Sequence, residues 1–232
     1  MTRNHLHIVA AGAAVVALGL ARVAPAQTQN AAHTPDPKHG AVIAAQGAGA
    51  GAPACAQCHA FNGISDASGA FPRIAAQSAY YLAKQMRDFT SGVRDSAIMS
   101  PIAKALTCDD IADVTTYYAD LDAPFPPLQK SNPALVKQGE TLAKVGNAPR
   151  NIPACDNCHG PAGEGEPPAI PYLAGQYASY ISNELRMWQS GLRKNSPEAM
   201  AFLAKALTDQ DIAAVAAYYQ QVHGTAEAAG SP

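Results

Sequence analysis

Hydrophobic positions spaced three and four residues apart mark the last segment of each half of this 232-residue chain. That spacing places the apolar side chains on one face of an amphipathic α-helix. The residues are Ile111, Val114, Tyr118 and Leu121 in the first half, and Ile212, Val215, Tyr219 and Val222 in the second. A helix N-cap and its third residue precede each segment: Thr107 with Asp110, and Thr208 with Asp211. Both halves are therefore predicted to end in a capped helix.

Further segments have the spacing of helices. Residues 41–45 predict a weak helix before the first cysteine pair, and Leu135, Val136, Leu142 and Val145 predict a stronger one before the second. Residues 79–92 and 178–191 predict another helix in each half. No alternating apolar run is long enough to form a sheet, so the predicted fold class is all-α.

The two halves repeat the same motifs in the same order, which indicates an internal duplication. PACAQCH at 53–59 parallels PACDNCH at 153–159, PRIAAQ at 72–77 parallels PYLAGQ at 171–176, and MSPIAKALT at 99–107 parallels MAFLAKALT at 200–208. Between the halves, the prolines of DAPFPPLQKSNP favour a semi-rigid linker over a helix. We therefore predict domain 1 over residues 27–122, a linker over 123–132, domain 2 over 133–224 and a flexible tail over 225–232.

The first 26 residues have the layout of a cleaved secretory signal peptide. A basic start at Arg3 precedes an apolar run from about residue 8 to residue 21 and the cleavage pattern Ala24-Pro25-Ala26. An uncleaved membrane anchor is the alternative, although the run is shorter than the roughly 20 residues that a spanning helix needs. The formal net charge is −2 and no basic patch is present, so no nucleic-acid partner is expected. The sequence predicts an exported protein.

Four of the five cysteines lie in two CxxCH motifs, Cys55-x-x-Cys58-His59 and Cys155-x-x-Cys158-His159. This is the attachment motif of c-type haem, in which two thiols form thioethers with one porphyrin edge and the following imidazole binds the iron. A redox-active dithiol does not require the histidine, and a zinc site built from both pairs does not require the surrounding repeat. We therefore predict two covalently bound haem c groups, one in each domain.

The sixth ligand of each iron separates an electron carrier from a catalyst with an open iron site. Met99 and Met200 both stand four residues before the first alanine of AKALT, whereas Met86 and Met187 do not match between the halves. A ligand should occupy equivalent positions in both copies, but a methionine that fills a core need not. The predicted axial pairs are therefore His59 with Met99 and His159 with Met200, and bis-histidine ligation is the alternative.

Two further pairs of repeated residues are candidates for a supporting role at the haems. Pro72 and Pro171 could offer a carbonyl group to the ligand histidine, or they could form only a turn. Arg87 and Arg186 could pair with haem propionates, or they could be part of a solvated helix face. Both interpretations stay open at the level of the sequence.

Three other residues have structural or incidental interpretations. Gly40 and Gly139 are predicted to permit close contact between the first and last helices of each domain, near Tyr118 and Tyr219. Cys108, whose counterpart in the second half is Asp209, has no partner in the repeat and is interpreted as an incidental thiol.

The two CxxCH motifs, PRIAAQ with PYLAGQ, and the Met-x-x-x-AKALT stretches together resemble the dihaem cytochrome c4 family, in which two class I cytochrome c domains lie in tandem. The resemblance covers about residues 40–222. It implies a small helical fold around one covalent haem per domain, the axial pairs given above, and a pseudo-twofold arrangement with facing propionate edges. It also implies a periplasmic electron carrier between a quinol-oxidising complex and a terminal oxidase or reductase, in some cases held at the membrane.

Three functions are compatible with these residues. Two methionine-ligated irons have no open coordination site, which favours an electron carrier. A dihaem enzyme of peroxidase or thiosulfate-oxidising type would need an exposed iron or a cysteine ligand, and Cys108 is poorly placed for that role at a predicted helix start. A haem subunit of a larger dehydrogenase or reductase would carry the same residues, so this alternative stays open.

Overall fold

The computed structural model describes residues 33–49, 51–66, 68–122, 125 and 130–222, and within them ten α-helices are joined by loops. The helices of domain 1 are α1 Pro37–Gln46, α2 Ala56–His59, α3 Ala79–Ser91, α4 Met99–Ala105 and α5 Cys108–Ala119. Those of domain 2 are α6 Pro133–Lys144, α7 Asp156–His159, α8 Ala178–Ser190, α9 Met200–Ala206 and α10 Asp209–Gln221. Short 3-10 turns lie at Ala148–Arg150 and Pro161–Gly163. The described residues form only isolated β-bridges and no strand, and the all-α prediction is confirmed.

The described residues from Thr34 onwards belong to one compact unit, so the two domains pack against each other. The predicted signal peptide, the predicted tail and most of the predicted linker lie outside the described residues, and their boundaries stay predictions. In the described part of the chain, no helix is both long enough and apolar enough to cross a membrane.

The first and last helices of each domain cross in close contact at a glycine. Helix α1 packs on α5, and α6 packs on α10. A Cβ atom at Gly40 would lie 2.2 Å from the Asp113 carbonyl oxygen, and one at Gly139 would lie 2.0 Å from the Ala214 carbonyl oxygen. Only a residue without a side chain permits this backbone approach. The predicted role of the glycines is confirmed, but their aromatic neighbours are Tyr117 and Tyr218 rather than Tyr118 and Tyr219.

The predicted N-caps explain where α5 and α10 begin, and glycines explain where α3 and α8 end. Thr107 and Asp110 form a reciprocal capping box at the start of α5, and Thr208 and Asp211 form the same box at α10. Helices α3 and α8 end one residue before the predicted limit, at glycines that adopt left-handed backbone angles (φ 79° and 74°).

Each domain has an apolar core that reaches its cysteine motif. Ile43, Val114, Tyr117 and Tyr118 are among the buried residues of the domain 1 core, and Cys55 packs against them. The domain 2 core is larger and includes Leu142, Leu185, Trp188, Ile212 and Tyr219, with Cys155 and Met200 packed against it. The first cysteine of each CxxCH motif therefore lies against the apolar core of its domain.

Candidate functional site

Each CxxCH motif forms one turn of helix that holds its cysteines and histidine together. Cys55 lies at the N-cap of α2 and Cys155 at the N-cap of α7. The amide of His59 donates to the Cys55 carbonyl at 2.9 Å, and the amide of His159 donates to the Cys155 carbonyl at 3.0 Å. None of the five cysteines forms a disulfide, so the four motif thiols are available for thioether bonds to haem. The two attachment motifs therefore have the same local geometry.

Both motif histidines are oriented by a proline carbonyl. The Nδ1 atom of His59 lies 3.1 Å from the Pro72 oxygen, and the Nδ1 atom of His159 lies 2.9 Å from the Pro171 oxygen. A hydrogen bond from Nδ1 fixes the tautomer and leaves Nε2 as the atom that can bind a metal. The repeated prolines thus offer a carbonyl to the motif histidine, which is one of the two roles that the sequence allowed.

Burial sets the protonation state of these groups. It lowers the pKa of His59 and of His159, against the opposing effect of the proline carbonyls, and so favours the neutral imidazole that binds iron. It also raises the pKa of Cys55, and that of Cys155 to about 11, so these cysteines are protonated thiols at neutral pH. The unmodified chain therefore presents neutral side chains to an apolar interior.

The structure places Met99 and Met200 in equivalent positions. Each is the first residue of a seven-residue helix, α4 or α9, and is half-buried. The Met99 amide donates to the Ser96 hydroxyl at 3.0 Å, and the Met200 amide donates to the Ser196 hydroxyl at 3.3 Å. This equivalence is what a shared ligand role requires, and iron ligation by these methionines stays a prediction.

Met86 and Met187 lie within α3 and α8 but do not share a register. Met86 is half-buried, and its aligned position in domain 2 is the buried Leu185. The Sδ atom of Met187 is 3.9 Å from the Asn183 amide nitrogen within α8. Neither environment is repeated in the other domain, as expected for methionines that pack and do not bind iron.

The residues of domain 2 fit a haem for a reason beyond the motif. The indole Nε1 of Trp188 is buried and has no hydrogen-bond partner among the described residues. A buried N–H donor normally has an acceptor, and a haem carboxylate would provide one in the core that Met200 packs against. A bound haem supplies a one-electron iron couple, and the protein supplies its ligands, its burial and its hydrogen bonds.

The alternative of a shared zinc site finds no support in the geometry. Within the described residues, no group of three or more His, Cys, Asp or Glu side chains is placed to hold a metal ion together. The two cysteine pairs remain in separate domains, each beside its own histidine.

The arginines selected from the sequence are exposed, and a different repeated pair is buried. Arg87 is exposed, and Arg186 forms a 3.4 Å ion pair with exposed Asp209. Arg94 and Arg193, by contrast, are each about 95% buried and lie next to each other in an isolated antiparallel bridge. This pair was not among the residues selected from the sequence, although the Ser-Gly-x-Arg that starts at the last residue of α3 and of α8 is a repeated signal that marks it.

Arg94 and Arg193 form the centre of a polar interface between the domains. Together with Gln85, Glu184 and Tyr180 they are here called the arginine cluster. Glu184 accepts from Arg94 at 2.9 Å and from Arg193 at 2.5 Å. Gln85, at the equivalent position of domain 1, also accepts from both, at 2.9 and 3.1 Å. The Tyr180 hydroxyl accepts from Arg94 at 2.8 Å. The cluster satisfies two buried guanidinium groups with one carboxylate and neutral acceptors.

A second set of interdomain contacts, here called the glutamine exchange, joins Gln77 and Gln176 to the opposite domain. Gln176 accepts from the Arg73 amide and donates to the Arg73 carbonyl, both at 2.9 Å. Gln77 makes the same pair of contacts with Tyr172, at 3.4 and 3.5 Å. Both glutamines are about 95% buried. The exchange follows a pseudo-twofold axis, because each domain gives the other the same side chain.

Cys108 lies outside these sites. It is the exposed first residue of α5 and contributes to neither attachment motif.

The fold and the two CxxCH sites define a c-type cytochrome with two haem-binding domains. A family model for cytochrome c matches residues 136–223. The chain is 37% identical over 188 residues to cytochrome c4 of Pseudomonas aeruginosa, which covers 80% of this chain and 91% of that protein. It superposes on the crystal structure of reduced cytochrome c4 from Pseudomonas stutzeri with a TM-score of 0.72 at 30% identity, covering 82% of this chain and all of that one. The chain belongs to the cytochrome c4 family and is a dihaem electron carrier with two covalent haem c groups.

Two other similar proteins are named for thiosulfate oxidation. The "thiosulfate dehydrogenase electron acceptor" of Stutzerimonas stutzeri is 42% identical over 178 residues, which is 76% of this chain and 82% of that protein. A thiosulfate dehydrogenase (TsdBA) from Marichromatium purpuratum superposes with a TM-score of 0.75 at 38% identity over 81% of this chain. The chain spans about two fifths of the length of that second protein.

Proposed function

We propose that the protein is exported to the periplasm and carries electrons there from an oxidising enzyme complex to a terminal oxidase or reductase. The observation that supports this best is the repeated site itself. Two histidines, half-buried His59 and buried His159, occur within one compact unit, each held by a proline carbonyl and each accompanied by a methionine at an equivalent position. Such an arrangement suits two closed, one-electron centres between which an electron can pass.

The first point to test is that neither iron has an open coordination site. The visible and near-infrared spectrum of the oxidised protein should show the methionine-to-iron charge-transfer band at full intensity for two haems. Met200→Leu should remove half of that intensity, and Met187→Leu, the matched control in the same domain, should not. A high-spin spectrum of the wild type, or loss of the band in Met187→Leu, would contradict the proposed ligands.

The proposed electron donor is a quinol-oxidising complex, and a thiosulfate-oxidising enzyme is the second candidate. The second candidate is favoured by the 42% identity to a protein named as an electron acceptor of thiosulfate dehydrogenase. Stopped-flow reduction of the oxidised protein separates the two: one mixture contains quinol and a quinol-oxidising complex, the other thiosulfate and a thiosulfate dehydrogenase. Fast reduction in only one mixture identifies the donor class. If the protein is reduced slowly in both mixtures although ascorbate reduces it fully, both donors are excluded.

Location can be measured directly. The predicted signal peptide over residues 1–26 supports export, and the haem absorbance should therefore appear in a periplasmic extract. Haem protein found with the cytoplasmic markers would refute export. Release from membranes only by detergent would instead support the uncleaved anchor.

A further inference from the structure

One peptide group in domain 1 connects the ligand histidine to the opposite domain. The carbonyl of Pro72 lies 3.1 Å from the Nδ1 atom of His59. The N–H of the same peptide belongs to Arg73 and donates to the Gln176 side-chain oxygen at 2.9 Å. A residue of domain 2 is thus separated from the domain 1 histidine by a single peptide group.

The same connection runs in the other direction. The carbonyl of Pro171 lies 2.9 Å from the Nδ1 atom of His159, and the next amide, that of Tyr172, donates to the Gln77 side-chain oxygen at 3.4 Å. Each haem domain therefore extends one glutamine onto the peptide that holds its neighbour's histidine.

We propose that Gln176 lowers the reduction potential of the haem in domain 1 and that Gln77 lowers that of the haem in domain 2. An amide that donates a hydrogen bond becomes more polarised, so its carbonyl is a stronger acceptor. A stronger acceptor at Nδ1 makes the imidazole a more basic ligand, which stabilises ferric over ferrous iron. The two glutamines are positioning residues that act through the histidine and do not touch the iron.

The geometry also ranks the two effects. Gln176 contacts Arg73 at 2.9 Å through both its oxygen and its nitrogen, whereas the Gln77 contacts with Tyr172 are 3.4 and 3.5 Å. Hydrogen bonds weaken beyond about 3.2 Å, so the Gln176 connection is the stronger. The potential of the haem in domain 1 should therefore depend more on Gln176 than the potential of the haem in domain 2 depends on Gln77.

The alternative explanation is that Gln77 and Gln176 only hold the two domains together, and the interface offers a matched control. The Ser179 hydroxyl donates across the interface to the Gly69 carbonyl at 2.8 Å but does not contact either peptide that holds a histidine. Ser179→Ala therefore removes an interdomain hydrogen bond without disturbing the proposed connection.

The experiment is a redox titration of the full dihaem protein in which haem methyl proton resonances report each domain separately. Gln176→Met removes both hydrogen bonds to Arg73 and keeps an unbranched side chain of similar volume. We expect it to favour the reduced form of haem 1 about three- to tenfold, which for a one-electron couple is about 30–60 mV. The Nδ1 proton of His59 in the reduced protein should move upfield, since its hydrogen bond weakens. Gln77→Met should give a smaller rise confined to haem 2, and Ser179→Ala should shift neither haem.

Several results would overturn the proposal. A Gln176→Met potential equal to that of the wild type would refute it, as would an equal rise at both haems. A shift of the same size in Ser179→Ala would show that the glutamines only hold the domains together. If Gln176→Met does not fold, Gln77→Met decides alone, since a rise at haem 2 supports the connection and its absence refutes it. None of these outcomes depends on the identity of the electron donor.

Discussion

Replacing Glu184 by glutamine should lower the free energy of unfolding more than the removal of any other single charge at the interface. Glu184 is the carboxylate of the arginine cluster, and its oxygens lie 2.9 Å from Arg94 and 2.5 Å from Arg193. The side chains of all three residues are at most 10% exposed. Without the carboxylate, two buried guanidinium groups would face each other with only neutral acceptors.

The magnitude follows from this burial. Removing one partner of a buried ion pair typically costs about 3–5 kcal/mol, because the remaining charge stays buried without compensation. Glutamine can still accept hydrogen bonds at this position, so the lower end, about 3 kcal/mol, applies. For a protein of this size, that loss corresponds to a fall of about 6–12 °C in the melting temperature.

Thermal unfolding followed by circular dichroism measures this difference. The matched control is Glu140→Gln, because Glu140 also pairs with two cations, Lys137 at 2.8 Å and Lys144 at 2.9 Å, but does so on the exposed surface of α6. That substitution should leave the melting temperature close to wild type. The Glu184→Gln difference should persist in 1 M salt, which screens surface pairs but not buried ones. A fall of less than about 2 °C would show that the guanidinium groups do not depend on this carboxylate.

Three further predictions concern other parts of the molecule. Gly139→Ala should lower the free energy of unfolding in denaturant by about 2 kcal/mol, because a Cβ 2.0 Å from the Ala214 oxygen overpacks the crossing by more than alanine gains in helix propensity; an unchanged midpoint would contradict the close crossing. The hydrogen bond to Asp113 raises the pKa of His39, so this contact stabilises fully below pH 6.5 and is lost as the pH rises through the raised value. The stability difference between wild type and His39→Gln should therefore shrink at alkaline pH, and a difference that grows would be inconsistent with the contact. Cys108→Ser should leave the visible spectrum and both potentials unchanged, and a change in either would exclude an incidental role for that thiol.

Local features of the sequence predicted the parts of the molecule that depend on nearby residues. The capping pairs at Thr107 and Thr208 act within one turn, and both appear in the structure. The alignment of the halves also placed Met99 and Met200 in equivalent positions, because duplicated segments fold alike. Helix α1 was harder to predict, since its first turn is set by Asp36 and Pro37, outside the apolar run.

The interface between the domains could not be predicted in the same way. Arg94 and Arg193 look like ordinary surface cations in the sequence, and they are buried only because each meets the other domain. Arg87 and Arg186 repeat just as well and remain exposed. Repetition identifies a position that matters in both copies, but it does not tell a buried contact from a solvated one. Burial at an interface depends on how two folded surfaces meet, which local spacing does not encode.

The pseudo-twofold packing explains why the repeat is broken at one position of the arginine cluster. When two copies of a domain meet through the same surface, a residue at the pseudo-twofold axis lies next to its own counterpart, and Arg94 therefore meets Arg193. With glutamine at the position of Gln85 and Glu184 in both copies, the two buried guanidinium groups would have no anionic partner in the cluster. With glutamate in both, two carboxylates would accompany them and the interface could stay strictly symmetric. The chain instead has Gln85 in domain 1 and Glu184 in domain 2, so the interface carries one net positive charge from these groups and its negative charge belongs to domain 2. An electron that passes between the domains therefore meets different electrostatics on the two sides, and the two haem sites differ even though their predicted ligands are the same.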